Sequence, residues 1–428
     1  MKLSPPAPWP VFPDDEVDAA SAVLRSGKVN YWTGDICRAF ERDYAAYVGA
    51  SHAVAVANGT VALELALYAL GVGEGDEVIT TSRTYIASAS CAVMRGAVPV
   101  VVDVDRASQN IDPDAIRAAI TPRTRAIVAV HLAGWPCDMD AIMAIADEFG
   151  LKVIEDCAQA HGAEYKGRQV GSIGHAGAFS FCQDKIISTG GEGGMLTTSD
   201  TEVWKRAWAF KDIGRSYDAV YHQEHPPGFR WLTETFGTNW RLTEMQAAIG
   251  RKQLQKLDGW IDQRRAHAEA LTATFLDIPA VRVALPPASI RHAYYKYYVF
   301  VEPECLRQAW GRDRIIAELT NRGVPCFSGS CSDIQREKAF TTLPNFQRNE
   351  VPVALELGET SLMFLVHPTL DADYIAQVCA HIVEVFALAT DASANAVIEG
   401  SVAHPRQVGP AAGNVKNVGA DDETVFIE

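Results

Sequence analysis

Short apolar runs alternate with amphipathic stretches through the first half of the chain, a pattern that predicts a mostly parallel sheet with helices on both faces. Between about residues 16 and 47 the spacing predicts a helix, a loop carrying Tyr31-Trp32-Thr33-Gly34, and a second helix with apolar positions at Phe40, Tyr44 and Val48. His52-Ala53-Val54-Ala55-Val56-Ala57 reads as a strand and Asn58-Gly59-Thr60 as the turn after it. Residues 61–70 then form a helix whose Leu63, Leu65, Leu67 and Leu70 imply burial on most sides. The unit repeats, with strands at 77–80, 98–102, 126–130 and 151–156 and helices at 86–94, 114–119 and 139–149. After Gly237-Thr238-Asn239-Trp240-Arg241-Leu242-Thr243 the pattern changes to one long helix from 244 to about 275. A smaller α+β segment follows, with strands at 297–301 and 361–364 and helices at 312–322 and 373–388. The expected organisation is a large α/β domain over 1–250, a small domain over 251–389, and an aperiodic extension over 390–428.

Composition agrees with a packed enzyme: 428 residues, 48% hydrophobic and 21% charged, suffice for one large core and one smaller. No run reads as long and apolar enough to cross a bilayer, and Met1-Lys2-Leu3-Ser4-Pro5-Pro6 lacks the apolar stretch of a secretory signal. The expectation is a cytoplasmic protein without membrane partners. Nine scattered cysteines with no C-x-x-C pair predict reduced thiols and no zinc site. A formal net charge of -15 argues against nucleic acid as a partner. Small anionic substrates stay open, through locally placed arginines.

One lysine changes the picture. Gly177-Ala178-Phe179-Ser180-Phe181-Cys182-Gln183-Asp184-Lys185 carries an apolar strand to Lys185, and Gly190-Gly191-Glu192-Gly193-Gly194 turns the chain after it. A lysine held inside a fold is costly to bury as a cation, so it is paired, exposed, or used as an amine nucleophile. Asp156 ends another apolar run, and ligands of parallel sheets sit at such strand ends. Lysine with a buried acid suggests pyridoxal 5'-phosphate. Read locally, Lys185 is equally a surface lysine and Asp156 a turn cap. Gly59 and Thr60 open a helix, whose free N–H groups suit either a phosphate or an ordinary cap. Gly71-Val72-Gly73-Glu74-Gly75-Asp76 precedes a strand rather than following one, so it is a turn and no dinucleotide site. The Gly190 run lacks the ending of a P-loop, and His222 with His225 read as a solvated loop rather than a metal site.

Taken in order, these segments resemble the sugar aminotransferases of the DegT/DnrJ/EryC1/StrS family, a branch of the fold type I pyridoxal-phosphate enzymes, over roughly residues 10 to 385. The carriers are Trp32-Thr33-Gly34, Ala57-Asn58-Gly59-Thr60, Arg83-Thr84-Tyr85-Ile86-Ala87-Ser88, Val130-His131-Leu132-Ala133-Gly134, Glu155-Asp156-Cys157-Ala158-Gln159-Ala160-His161-Gly162, Ser180 through Lys185, Gly191-Glu192-Gly193-Gly194, and Gly237-Thr238-Asn239-Trp240-Arg241. The resemblance implies that Lys185 joins the cofactor aldehyde and carries the proton during amino transfer. Asp156 would pair with the pyridine nitrogen, Gln159 with the ring hydroxyl, and Tyr85 would stack on the ring. Gly59, Thr60 and Ser180 would hold the phosphate, with Asn239 reaching it from the partner chain of a homodimer. The implied donor is L-glutamate and the implied acceptor a keto-sugar, nucleotide-linked. A keto-cyclitol, a free keto-sugar, or a catalytically silent relative are the alternatives. Arg83 and Arg241 are the candidate contacts for an anionic substrate. One departure stands out: the family's Gly-Asp before the lysine strand is Gly174-His175 here.

Overall fold

The computed structural model describes residues 2–344 and 346–390, so the expected extension lies, after Thr390, outside the described residues. The strands of the first part are β1 (His52–Val56), β2 (Glu77–Thr81), β3 (Val98–Val102), β4 (Thr124–Val130), β5 (Lys152–Asp156), β6 (Glu164–Tyr165), β7 (Arg168–Gln169), β8 (Ala176–Ser180) and β9 (Gly194–Thr198). Later strands are β10 (Val281–Arg282), β11 (Ile290–Arg291), β12 (Tyr297–Val301), β13 (Cys326–Phe327) and β14 (Ser361–Phe364). Helices of the first part are α1 (Asp14–Ser26), α2 (Ile36–Val48), α3 (Gly59–Ala69), α4 (Ala87–Met94), α5 (Pro113–Ala119), α6 (Met139–Phe149), α7 (Thr201–Lys211) and α8 (Tyr217–Tyr221). Then come α9 (Glu244–Leu254), α10 (Leu257–Leu276), α11 (Arg312–Asn321), α12 (Pro352–Thr360) and α13 (Ala372–Ala389).

Seven strands make the main sheet, in the order β1-β9-β8-β5-β4-β2-β3. The pairs from β8 to β3 are all parallel, while β9 runs antiparallel to both neighbours. The alternating pattern thus yields the expected α/β architecture, with β9 as the exception. Its direction follows from its connection: residues 181–193 join β8 to β9 without a crossover helix, and Gly190 and Gly191 take φ of 85° and 126° to reverse the chain. Lys185 sits in that reversal. Apolar side chains cover α3 because it lies between β8 and β9 on one side and α4 and α7 on the other. A second sheet, β10-β12-β14-β13, is wholly antiparallel, and a three-stranded one, β11-β6-β7, ties residues 290–291 back to the loops after β5.

Two expectations need correction. The long helix from 244 to 275 is two helices, α9 and α10, broken at Gln255 and Lys256. No glycine or proline marks the break; the chain changes partners, since α9 packs on α1 and α2 and α10 on α13 and β10. Lys256 fixes the corner by bonding Asp15 at 2.9 Å and Glu16 at 2.7 Å. The second correction concerns membranes: α13, with 18 residues and mean hydropathy 1.4, is long and apolar enough to cross one. Its Val378, Ile382, Val385 and Phe386 nevertheless lie buried with Leu271, Phe275, Leu319 and Phe364, which is the packing of a core helix.

Among the described residues packing buries five imidazoles, and in His161, His292 and His367 it strongly disfavours the charged form. Burial pushes His161 down to about 4 and the other two down to about 3, with nearby arginines adding to the effect. Below the ordinary value of 6.5 the unfolded chain takes up protons that the folded chain refuses, so stability falls as pH falls through that window. Three such sites amount to about 4 kcal/mol per pH unit once the unfolded imidazoles are charged. Urea unfolding at pH 7, 6 and 5 is expected to show this loss; a flat profile would contradict it.

Candidate active site

Six strands of the main sheet share one direction, because β1 and β8 are both antiparallel to β9, so their carboxyl ends open on a single edge. Crevices at that edge hold the ligands of open α/β sheets. Asn58, Tyr85, His131, Asp156 and Ser180 all leave strands there.

Asp156 ends β5 and is buried. Its Oδ2 accepts from Ser88 Oγ at 2.8 Å, and its Oδ1 from the Ala158 N–H at 3.1 Å. Ser88 is itself bonded to Thr84 Oγ1 at 2.9 Å. Burial still raises the carboxyl's pKa, although those hydrogen bonds and the charge of Lys185 oppose the rise. A buried carboxylate short of positive charge is suited to a cationic ligand. Lys185 is buried too. Its Nζ lies 3.9 Å from Asp184 Oδ1 and 5.0 Å from the ring centroid of Tyr295. Tyr295 donates its hydroxyl to Asp184, and Trp9 donates Nε1–H to the Lys185 carbonyl at 3.0 Å. Side chains from both ends of the chain therefore hold this loop.

At the end of β1, Asn58 caps α3 by accepting from the Val61 N–H at 3.0 Å. The next residue must be glycine: a Cβ on Gly59 would stand 2.6 Å from Ser180 Cβ. Gly194 is constrained likewise, since its Cβ would meet Asn58 O at 2.3 Å. Gly59, Thr60 and Ser180 are thereby brought together at a helix start. The carbonyl of Ser180 accepts from His161 Nε2 at 2.8 Å; this fixes the tautomer and leaves Nδ1 to accept from Tyr44 OH at 2.7 Å. Gln159 Oε1 accepts from the Ala133 N–H at 2.8 Å, and the Ala133 carbonyl in turn accepts from the Tyr295 N–H at 2.8 Å. Tyr85 is 52% exposed in the turn before α4, where its carbonyl accepts from the Ser88 N–H. A flat ring left open beside the Asp156 partner is an available stacking surface.

Asn239 stands apart from this group. Its segment is tied to the end of β1 by the Ala57 N–H to Trp240 carbonyl bond of 2.9 Å, and the residue itself bridges Asp212 and is exposed. Both arginines singled out in the sequence have partners within the chain. Arg83 is buried and bonds Gln109 Oε1 at 2.8 Å and Ser361 Oγ at 3.0 Å. Arg241 is held by Asp212, which also accepts from Trp32 Nε1 at 3.2 Å. The Gly174-His175 departure is absorbed locally: Gly174 N–H donates to Glu155 Oε1 at 2.7 Å, and His175 Nδ1 accepts from the Val153 N–H at 3.0 Å.

Among the described residues, His131, Glu155 and Cys157 form one cluster with metal-ligand chemistry. It does not fit a metal. Glu155 Oε1 accepts from the Ile173 and Gly174 N–H groups and Oε2 from Gly171 N–H and His131 Nε2, while His131 Nδ1 accepts from Cys137 N–H. Burial alone would raise the Glu155 pKa, but His131 and the backbone donors hold it below the usual carboxylate range. Sequence reasoning missed Ser88, Trp9, Asp184 and Tyr295. Ser88 was visible inside a quoted motif, whereas Trp9 and Tyr295 reach Lys185 across 176 and about a hundred residues, a distance at which one sequence carries no signal.

Comparison with known proteins identifies the family. A model described as the DegT/DnrJ/EryC1/StrS aminotransferase family matches residues 12–383. The chain is 43% identical over 304 residues to an L-glutamine:2-deoxy-scyllo-inosose aminotransferase of Streptoalloteichus tenebrarius, covering 68% of this chain and 70% of that protein. It is 39% identical over 310 residues to a dTDP-3-amino-3,4,6-trideoxy-alpha-D-glucose transaminase of Streptomyces venezuelae, covering 72% and 76%. Among solved structures, an aminotransferase from Psychrobacter cryohalolentis superposes with a TM-score of 0.88 at 55% identity, over 90% of this chain and 99% of that one. The chain belongs to the DegT/DnrJ/EryC1/StrS aminotransferase family and is an aminotransferase.

Proposed function

We propose that this protein uses pyridoxal 5'-phosphate to move an amino group from L-glutamate to a nucleotide-linked keto-sugar in amino-sugar biosynthesis. The observation that supports the reading is that buried Lys185 and buried Asp156 stand at the carboxyl edge of one sheet, near enough for the lysine's charge to favour the ionised acid. Three features of the site suit the cofactor. Asp156 is a carboxylate short of positive charge, the Gly59–Ser180 approach leaves helix N–H groups free of side chains, and Tyr85 presents an open ring. When bound, the cofactor supplies an aldehyde that links to amines and a ring that accepts electron density from the reacting carbon. Asp156 then holds positive charge at the ring nitrogen, with Ser88 and the Ala158 N–H keeping its oxygens in place. Lys185 Nζ moves the proton, and Asp184 and Tyr295 orient it. Gln159, whose Oε1 is anchored by the Ala133 N–H, would offer its amide N–H groups to the ring hydroxyl.

The phosphate would lie on the N–H groups of Gly59 and Thr60 and on Ser180 Oγ, joined by the partner subunit's Asn239. Exposed Asn239 supports a shared site, as do Phe229, Trp231 and Phe236, which are 78, 87 and 98% exposed just before it. A division into a large and a small domain is supported by the change of packing partners between α9 and α10. A second reading, amino transfer to a keto-cyclitol, is favoured by the relative named for 2-deoxy-scyllo-inosose.

Addition of L-glutamate to the purified yellow holoenzyme is expected to bleach its visible band, and a band unchanged by every amino donor would defeat the proposal. Lys185→Ala should abolish that band and cut turnover by about 10²–10⁴-fold or more. Normal turnover in this variant would remove Lys185 from its role. Asp156→Asn should act in opposite directions on activity and stability. Losing the charged partner costs about tenfold to a hundredfold in turnover. Burial raises this carboxyl's pKa, so the ionised form opposes folding as pH rises above the ordinary carboxylate range. Its removal should therefore raise the melting temperature of the cofactor-free protein at neutral pH by about 2 °C or more. A lowered melting temperature would show that Asp156 is a structural cap.

A further inference from the structure

Lys185 has a second cation beside it. Lys296, in the segment leading into β12, is partly buried, and its Nζ stands 4.8 Å from the centroid of the same Tyr295 ring that faces Lys185 at 5.0 Å. Among the described residues no hydrogen bond or ion pair engages this ammonium. Arg264 lies behind it, fully buried. Arg264 Nη1 donates to the carbonyls of Tyr294 and Tyr295 at 3.4 and 3.2 Å, its Nε and Nη2 have no partner, and its guanidinium stacks 5.2 Å over Trp9.

Charge at this place does not balance. Asp184, the carboxylate that faces all three cations, is already occupied by the Tyr295 hydroxyl and Lys185. Asp156 belongs to the ring nitrogen in the proposed site. A surplus of buried positive charge is costly unless an anion arrives to share it. Burial pushes Lys296 down to about 8, with Asp184 opposing and the Arg264 and Lys185 charges adding, and it pushes Arg264 down to about 9. Position matters as much as charge. Tyr295 N–H bonds the Ala133 carbonyl, and Ala133 N–H bonds Gln159, so Lys296 is held beside the cofactor side of the cleft rather than on the outer surface.

We propose that Lys296, with the buried charge of Arg264 near it, is the subsite for a substrate carboxylate, which it holds while Lys185 works on the neighbouring carbon. The inference rests on the aminotransferase reading above. A carboxylate can come from the amino donor or from an acidic acceptor sugar, and the two sources are separable by experiment. Wild-type holoenzyme, Lys296→Met and Lys296→Arg are titrated with L-glutamate and with L-glutamine in the donor half-reaction, followed by the visible band. UDP-glucuronate and UDP-glucose are titrated by calorimetry.

If the donor's α-carboxylate binds here, Lys296→Met weakens apparent binding of both amino acids about tenfold or more, the half-reaction rate at saturation changes little, and Lys296→Arg recovers most of the loss. If the acceptor supplies it, UDP-glucuronate alone weakens and UDP-glucose does not. Either result supports the proposal. Changes below about twofold in all four titrations, with a wild-type band that bleaches, would overturn the role of Lys296 and leave amino transfer standing. A wild-type band that no donor bleaches would overturn both. Should Lys296→Met fail to fold, Lys296→Gln carries the same comparison.

Discussion

A carboxylate taken out of water organises this molecule. Asp156 ends a strand buried on both faces, and its ionised form has the Ser88 hydroxyl, one backbone N–H and the weaker influence of Lys185 and His131 to set against desolvation. The elements that meet it are those that define the cleft: the turn before α4 supplies Tyr85 and the first turn of α4 Ser88, the reversal between β8 and β9 supplies Lys185, and the loop after β4 supplies Ala133 for Gln159. Removing the burial would remove the unmet demand for positive charge at this place. Keeping it makes the unliganded fold slightly strained in electrostatic terms, a common trade between stability and function.

The neighbouring acid shows the contrasting solution. Glu155, one residue earlier and on the other face of β5, receives four hydrogen-bond donors and is stabilised as an anion inside the protein. Two adjacent carboxylates thus divide the work. Glu155 fixes the loop 171–174 that leads into β8, and through it the start of the lysine strand; Asp156 is left with unmet demand for charge. The same logic extends across the cleft, where Lys185, Lys296 and Arg264 outnumber the carboxylate facing them. The site is negative on one wall and positive on the other, which suits a zwitterionic substrate passing between them.

Much of this was legible locally. Alternating apolar runs gave the parallel strands because each must be covered on both faces, and the turns after them carried Asn58, Tyr85, Asp156 and Ser180 to one edge by geometry alone. Antiparallel β9 and the α9–α10 break were not legible. The first depends on two glycines reversing the chain without a crossover, and the second on a change of packing partner that leaves the helical period unbroken.

By itself, then, the sequence determined the α/β class and which residues stand at the strand ends, since these rest on periodicity and on turn residues at short spacings. Only the tertiary structure decided which side chains surround them. Arg83 and Arg241, exposed cations as far as the sequence could say, are consumed by Gln109, Ser361 and Asp212. Lys296 and Arg264, which carried no local signal, are brought to the lysine by the Ala133–Tyr295 hydrogen bond and the packing of α10. Contacts of that kind join separate elements, from Arg83 and Gln109, 26 residues apart, to Arg83 and Ser361, 278 apart, and their energy depends on burial and partner geometry that no local pattern encodes.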